Sequence, residues 1–262
     1  VDWAFKAVLT AVTIALLLKV ARLFGSRIAG LLAGLPTITG PALLWLALEH
    51  GAEFAQRAAI GSVAACVPCA MFALAYQRGA VRRGVVASTA LALAVSTAVL
   101  PAIAGLDEAP LGALCASVMT IGLALAAMPR SAATLPYVKV RGEPWLTSLS
   151  AGAVSAAVAL AAPQAGPFWA GVLASPPLVV AAVAITQHLG GGGAAATPFL
   201  RGYVGGLLGR VTFGLLFALL LNVLPLLLAA VLAVAAGCAL PYLVSRLRTL
   251  LPVQPRPQVD RS

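Results

Sequence analysis

Ile28–Glu49 reads IAGLLAGLPTITGPALLWLALE. It is apolar and long enough to cross a bilayer, for which about 20 residues suffice. Its centre holds Pro36, Thr37, Thr39, Gly40 and Pro41. Proline has no N–H to donate and its ring clashes with the preceding turn, so the helix breaks here. In lipid a break survives only where protein or a cavity satisfies the freed carbonyls. Ala170–His188, AGVLASPPLVVAAVAITQH, has the same form, with Ala29-Gly30 falling on Ala170-Gly171 and Pro36 on Pro177. Interrupted spans at corresponding positions of two halves mark a transporter binding site.

A mean hydropathy of +1.02 with 9 % charged residues excludes a soluble domain. The apolar runs are unbroken, which excludes the alternating pattern of a membrane barrel. Nine spans are predicted, at 3–24, 27–48, 57–77, 84–103, 110–128, 145–163, 167–188, 199–221 and 225–245. The net charge of +10 lies in the connections between them, so it reads as orientation signal and not as a nucleic-acid surface. Lys19, Arg22, Arg27, Arg78, Arg82, Arg83, Arg130, Lys139, Arg141, Arg201 and four arginines after span nine share one side, while only Lys6 and Arg57 fall on the other. By the positive-inside rule the N-terminus is periplasmic and the C-terminus cytoplasmic, in a bacterial inner membrane. No cleavable signal peptide is read at the start. The four cysteines lie inside spans, which argues against a disulfide framework.

Spans one to four resemble spans six to nine. Asp2-Trp3 matches Pro144-Trp145, Arg57 and Gly61 match Arg201 and Gly205, and Pro101 matches Pro241, at spacings of 140 to 144 absorbed by the Gly190–Gly193 run. Equivalent positions are five spans apart, so the halves have opposite orientations. The expected fold is all-α: two inverted four-helix repeats (1–104 and 144–251), a linker helix with a cytoplasmic loop (105–143), broken helices two and seven, and a disordered tail (252–262).

Phe5-Lys6-Ala7-Val8-Leu9, Ile28-Ala29-Gly30-Leu31 and Leu35-Pro36-Thr37, followed by Glu49, Gly51, Arg57-Ala58, Gly61, Pro68 and Tyr76, resemble the GlpM family of small bacterial inner-membrane proteins. The resemblance covers spans one to four. Family members are single four-span units, some regarded as dual-topology, and such units can pair antiparallel. The resemblance implies two fused units joined by one helix, leaves a homodimer open, and names no substrate, although the family is linked to alginate production.

Arg210 lies ten residues into span eight, about 15 Å from its end at 1.5 Å per residue. A charge at that depth must face protein or water. It either binds an anion or caps the carbonyls of a broken helix. Its counterpart in span three is read as Cys66. Pro36, Thr37, Thr39 and Pro41 at one break, Ser175, Pro176 and Pro177 at the other, and Arg210 with Thr212 are the candidate substrate-binding residues. Half-helix N-termini at such breaks favour an anion. Lys6, Glu49, His50, Gln187 and His188 are weaker candidates for gates or proton relays, Lys6 and the two span ends being equally explained as interfacial groups. Cys66-Val67-Pro68-Cys69 reads as small apolar packing. Gly190–Gly193 lacks the lysine of a phosphate loop and reads as a flexible hinge, while Gly202, Gly205, Gly206 and Gly209 suit close helix packing.

The reading is a transporter of a small anionic solute or lipid-linked group, working by alternating access, with the lipid bilayer and that solute as partners. No enzyme constellation, metal site or cofactor motif is read. The alternatives are a non-transporting membrane subunit of an export or polysaccharide machine and a thiol-redox protein using Cys66 and Cys69.

Overall fold

The structure, a computed structural model, describes residues 23–37, 39–129, 162–175 and 177–250, with Val12, Leu16, Lys19 and Val20. Most of span one, all of span six apart from its last two residues, Lys6, Pro176 and the tail lie outside the described residues. The described residues are helical and contain no strand. Six helices are long and apolar enough to cross a membrane: Ser26–His50, Ala52–Ala80, Val85–Ala104, Pro110–Ala127, Pro167–Gly191 and Gly193–Leu220. They coincide with spans two, three, four, five, seven and eight. Span nine is a helix from Leu226 to Leu250, past its expected end, with Pro241 inside it.

Both expected breaks are present. Span two divides into α1 (Ser26–Gly34) and α2 (Thr39–His50). Span seven divides into α8 (Pro167–Leu173) and α9 (Leu178–Gly191). The carbonyl that Pro36 cannot reach, Leu32 O, accepts the Leu35 N–H at 3.2 Å, and Val172 O accepts the Ser175 N–H at 3.1 Å. Tight turns thus satisfy these carbonyls locally.

A third break was not expected. Span three divides at Ala65 into α3 (Ala52–Ala64) and α4 (Cys66–Ala80). Pro68 follows three residues later and has no N–H for the Ala64 carbonyl, which accounts for the interruption. Pro101 acts similarly in span four, which divides at Val99 into α5 (Val85–Ala98) and α6 (Leu100–Ala104). Span five is α7 (Pro110–Ala127), span eight α10 (Thr197–Leu220) and span nine α11 (Leu226–Leu250).

Helices cross where glycine lets backbones touch. A Cβ on Gly30 would strike the Phe199 carbonyl, and one on Gly171 would strike the Ala58 carbonyl. Gly61 lies against the Phe168 carbonyl, and Gly202 against the Arg27 carbonyl. Without a hydrophobic driving force between helices in lipid, such approaches supply dispersion contacts that larger residues would prevent. Each pair of contacts is the other displaced by 141 positions, the separation that also relates Cys69 to Arg210. Gly25 and Gly166, each at φ 89°, stand in the same relation, as do Gly51 (88°) and Gly192 (77°). These backbone angles favour glycine, so each pair marks the same kind of corner before a helix. The spacing is therefore constant over this region. At this spacing Gly61 falls on Gly202 rather than Gly205, and Cys69 rather than Cys66 falls on Arg210.

Two other expectations change. Gly190–Gly193 is no loose hinge: Gly192 turns the chain and Gly193 packs on the Ala80 carbonyl. Of the glycine stripe, Gly202 and Gly206 meet span two and Gly209 meets the Gly237 carbonyl, whereas Gly205 has nothing within 4 Å. Gly237 O is the carbonyl left without a helical donor by Pro241.

Span five packs on spans three and eight, where the Ser117 hydroxyl donates to Val63 O at 2.7 Å. Polar ties match the expected sorting of ends. Arg57 Nη2 pairs with Asp107 Oδ2 at 2.7 Å, and Gln56 Nε2 donates to Asn222 Oδ1 at 2.9 Å. Arg201 Nη1 donates to Leu125 O at 2.6 Å and Met128 O at 2.7 Å, capping the end of α7.

Candidate functional site

Arg210 is buried, 7 % exposed, in the middle of α10. Among the described residues no carboxylate pairs with it. Its Nη1 donates to Cys69 Sγ at 4.0 Å, and Nε has no partner. The Cys69 thiol in turn donates to the Ser175 carbonyl at 3.2 Å. Arg210 is therefore linked through one thiol to the break in span seven. Span eight reaches the other break as well: Gly206 lies against Gly34, and a Cβ on Gly209 would meet Leu35 Cδ2 at 2.6 Å. Tyr203, Cys69 and Cys66 are the electrostatic neighbours of the guanidinium. The Tyr203 hydroxyl is buried beside the Cys69 thiol and the guanidinium without making a hydrogen bond of good geometry to either. Cys66 Sγ is directed back across the interruption, to Ser62 O of α3 at 3.6 Å.

This cluster is rich in donors and poor in acceptors. A buried guanidinium nitrogen without a partner, with a buried phenol beside it, leaves hydrogen-bonding capacity that an oxyanion matches. Helices α2 and α9 each begin at a break, where Gly40 N–H and Ala181 N–H donate to Pro36 O and Pro177 O, each at 2.8 Å.

The candidate residues divide under this geometry. Pro36, Thr39 and Ser175 are buried, Pro177 is half-buried, and Thr37 and Pro41 are exposed. Thr39 stands at the first turn of α2. The Ser175 and Thr212 hydroxyls bond to carbonyls four residues back, Gly171 at 3.2 Å and Leu208 at 2.9 Å. Both hydroxyl protons are thus engaged within their own segments. Glu49 and His50 are exposed at the end of α2, 3.9 Å apart, with His50 tilted on Phe54. Gln187 and His188 are buried, so these two span ends are not equivalent.

Tyr203 was not anticipated as a site residue, and Cys69 was anticipated only in the thiol-redox alternative. The cysteine motif was read as packing, yet Cys69 bridges Arg210 and Ser175. The residue offset of 141 set by Gly30 and Gly171 already carries Arg210 onto Cys69. Of the two roles read for Arg210, an anion site or a cap on freed carbonyls, the structure adds that its link to the break in span seven runs through the Cys69 thiol. Among the described residues no group of three or more metal-ligating side chains is present.

No protein-family model, curated protein or solved structure matches this chain.

Proposed function

We propose that the chain transports a small anionic solute across the membrane, binding its carboxylate or phosphate at Arg210. The observation that carries the reading is the buried guanidinium: it has no carboxylate partner among the described residues and is joined through Cys69 to a broken helix. A buried charge without a countercharge is costly unless a ligand supplies it. The alternative role of capping freed carbonyls loses ground, because Leu32 O and Val172 O are already bonded within their turns.

The two halves are read as inverted repeats, a fused pair of GlpM-like units. What supports this is the reciprocity of the glycine contacts at one constant spacing, with span two crossing span eight and span seven crossing span three. Equivalent residues that touch each other, as Arg210 and Cys69 do, would sit on the axis relating the halves. Rocking one half against the other about such a site gives alternating access. The end bearing Arg78, Arg82 and Arg83 is taken as cytoplasmic in a bacterial inner membrane, by charge.

Two measurements test this. Single cysteines at Arg82 and Asp107, in a cysteine-free chain, should react with an impermeant reagent from opposite sides of the membrane. Reaction from one side only would defeat the topology. In proteoliposomes the chain should take up at least one solute from a panel of carboxylates and phosphate esters, and no uncharged analogue. Absence of uptake across the panel would favour a non-transporting subunit.

A further inference from the structure

Where Ala80 meets Gly193, at the end of the bundle bearing Arg78, Arg82 and Arg83, four buried residues are polar: Tyr76, Gln77, Gln187 and His188. The Tyr76 hydroxyl and His188 Nδ1 share a hydrogen bond at 3.3 Å, with the rings edge to face at 6.0 Å. Gln187 is 6 % exposed, and its Nε2 has no partner.

The opposite end provides an internal comparison. At the spacing of 141 the counterparts of these four residues are Phe217, Ala218, Leu46 and Ala47. All four are buried in one apolar cluster with Leu43 and Phe213. Packing alone therefore closes that end. The fold does not require polarity at these positions, and a buried amide donor without an acceptor destabilises the chain that keeps it. The groups present are amide N–H donors, a phenol and an imidazole. They complement the oxygens of an oxyanion, and they carry no fixed charge that would hold it tightly.

We propose that Tyr76, Gln77, Gln187 and His188 form a second, weaker oxyanion station between Arg210 and the basic end, with the Gln187 amide as the principal donor. An anion moving along the chain's axis would exchange the Arg210 charge for neutral donors before it meets water. The opposite gate offers no such stop. The comparison of the two ends rests on the inverted-repeat reading, whereas the station does not depend on Arg210 binding anything.

The chain contains two histidines. With His50→Gln, ring-nitrogen NMR of the labelled full-length protein reports His188 alone. Inorganic phosphate and acetate, each titrated at constant pH and ionic strength, are the probes. A saturable shift of the His188 signal with either anion is expected. It should persist in Arg210→Ala and fall at least tenfold in apparent affinity in Gln187→Leu, which introduces the side chain found at the counterpart position. No saturable shift with either anion, or an unchanged titration in Gln187→Leu, overturns the station. Loss of the shift in Arg210→Ala also overturns it, because the two sites would then be one. Gln187→Leu should melt no lower than its parent, so loss of response cannot be ascribed to unfolding.

Discussion

Replacing Arg210 with alanine is expected to remove anion binding while leaving the bundle folded. Removing one partner of a buried, hydrogen-bonded charge pair weakens binding by about 2–5 kcal/mol. At about 1.4 kcal/mol per tenfold that is roughly 30- to 4,000-fold. The bundle survives because the guanidinium holds little of it together: its hydrogen bond among the described residues is the long, 4.0 Å contact with Cys69. Insertion of an arginine near mid-membrane costs about 2.5–3.5 kcal/mol, so its removal relieves that penalty, offset by the cavity that alanine leaves. Arg210→Met fills the volume without the charge and should melt higher than the parent. Arg210→Lys keeps the charge but loses the planar fork, and should retain part of the affinity. The double exchange Cys69→Arg with Arg210→Cys moves the cation to the counterpart position and should restore part of the binding that Arg210→Ala loses. Calorimetric titration with the transported anion, alongside melting curves, separates these outcomes. Binding by Arg210→Ala within threefold of the parent would sink the anion site.

Gly171→Val and Gly30→Val are expected to prevent folding, and to do so equally. A Cβ at Gly171 would strike the Ala58 carbonyl oxygen and lie 2.6 Å from its carbon and 2.9 Å from its Cα. These are backbone atoms in the middle of a helix, so no rotamer change relieves the overlap. The helices must separate, and the dispersion contacts along the crossing go with them. Losses above about 4 kcal/mol are exceptional for single substitutions and belong to such cases. Gly205→Ala is the control: nothing lies within 4 Å, and alanine gains up to about 1 kcal/mol of helix propensity over glycine. Recovery of monodisperse protein and its melting temperature are the readouts. A valine variant that melts with its parent would show that the crossing is not tight.

Much of this architecture is legible in residue order. Runs such as Leu111–Ala127 identify spans, because a bilayer demands about 20 apolar residues whatever their neighbours. Pro36 and Pro177 break helices because the missing N–H and the ring clash are local to the residue. Basic loops sort the ends, and the contacts of Arg57 with Asp107 and of Arg201 with the end of α7 agree with that sorting. Pro68 carried the same local signal as Pro36, yet the break at Ala65 was missed because the surrounding run stays uniformly apolar.

The sequence by itself determined that the described chain is built of apolar helices able to cross a bilayer, that spans two and seven break at their prolines, and which charges share an end. Only the tertiary structure decided which faces meet. In a soluble protein the apolar face of a helix announces the core, but in lipid both the core and the surroundings are apolar. Leu111 is exposed and Leu43 is buried, and nothing in either residue distinguishes them. The choice is made by glycines that admit a neighbouring backbone and by helix rotation. Those rotations turn Cys69 toward Arg210 and Ser175 and bury Gln187 with its Nε2 unpartnered. A cysteine in an apolar span has the composition of packing; its role as a bridge exists only once three helices cross at its depth.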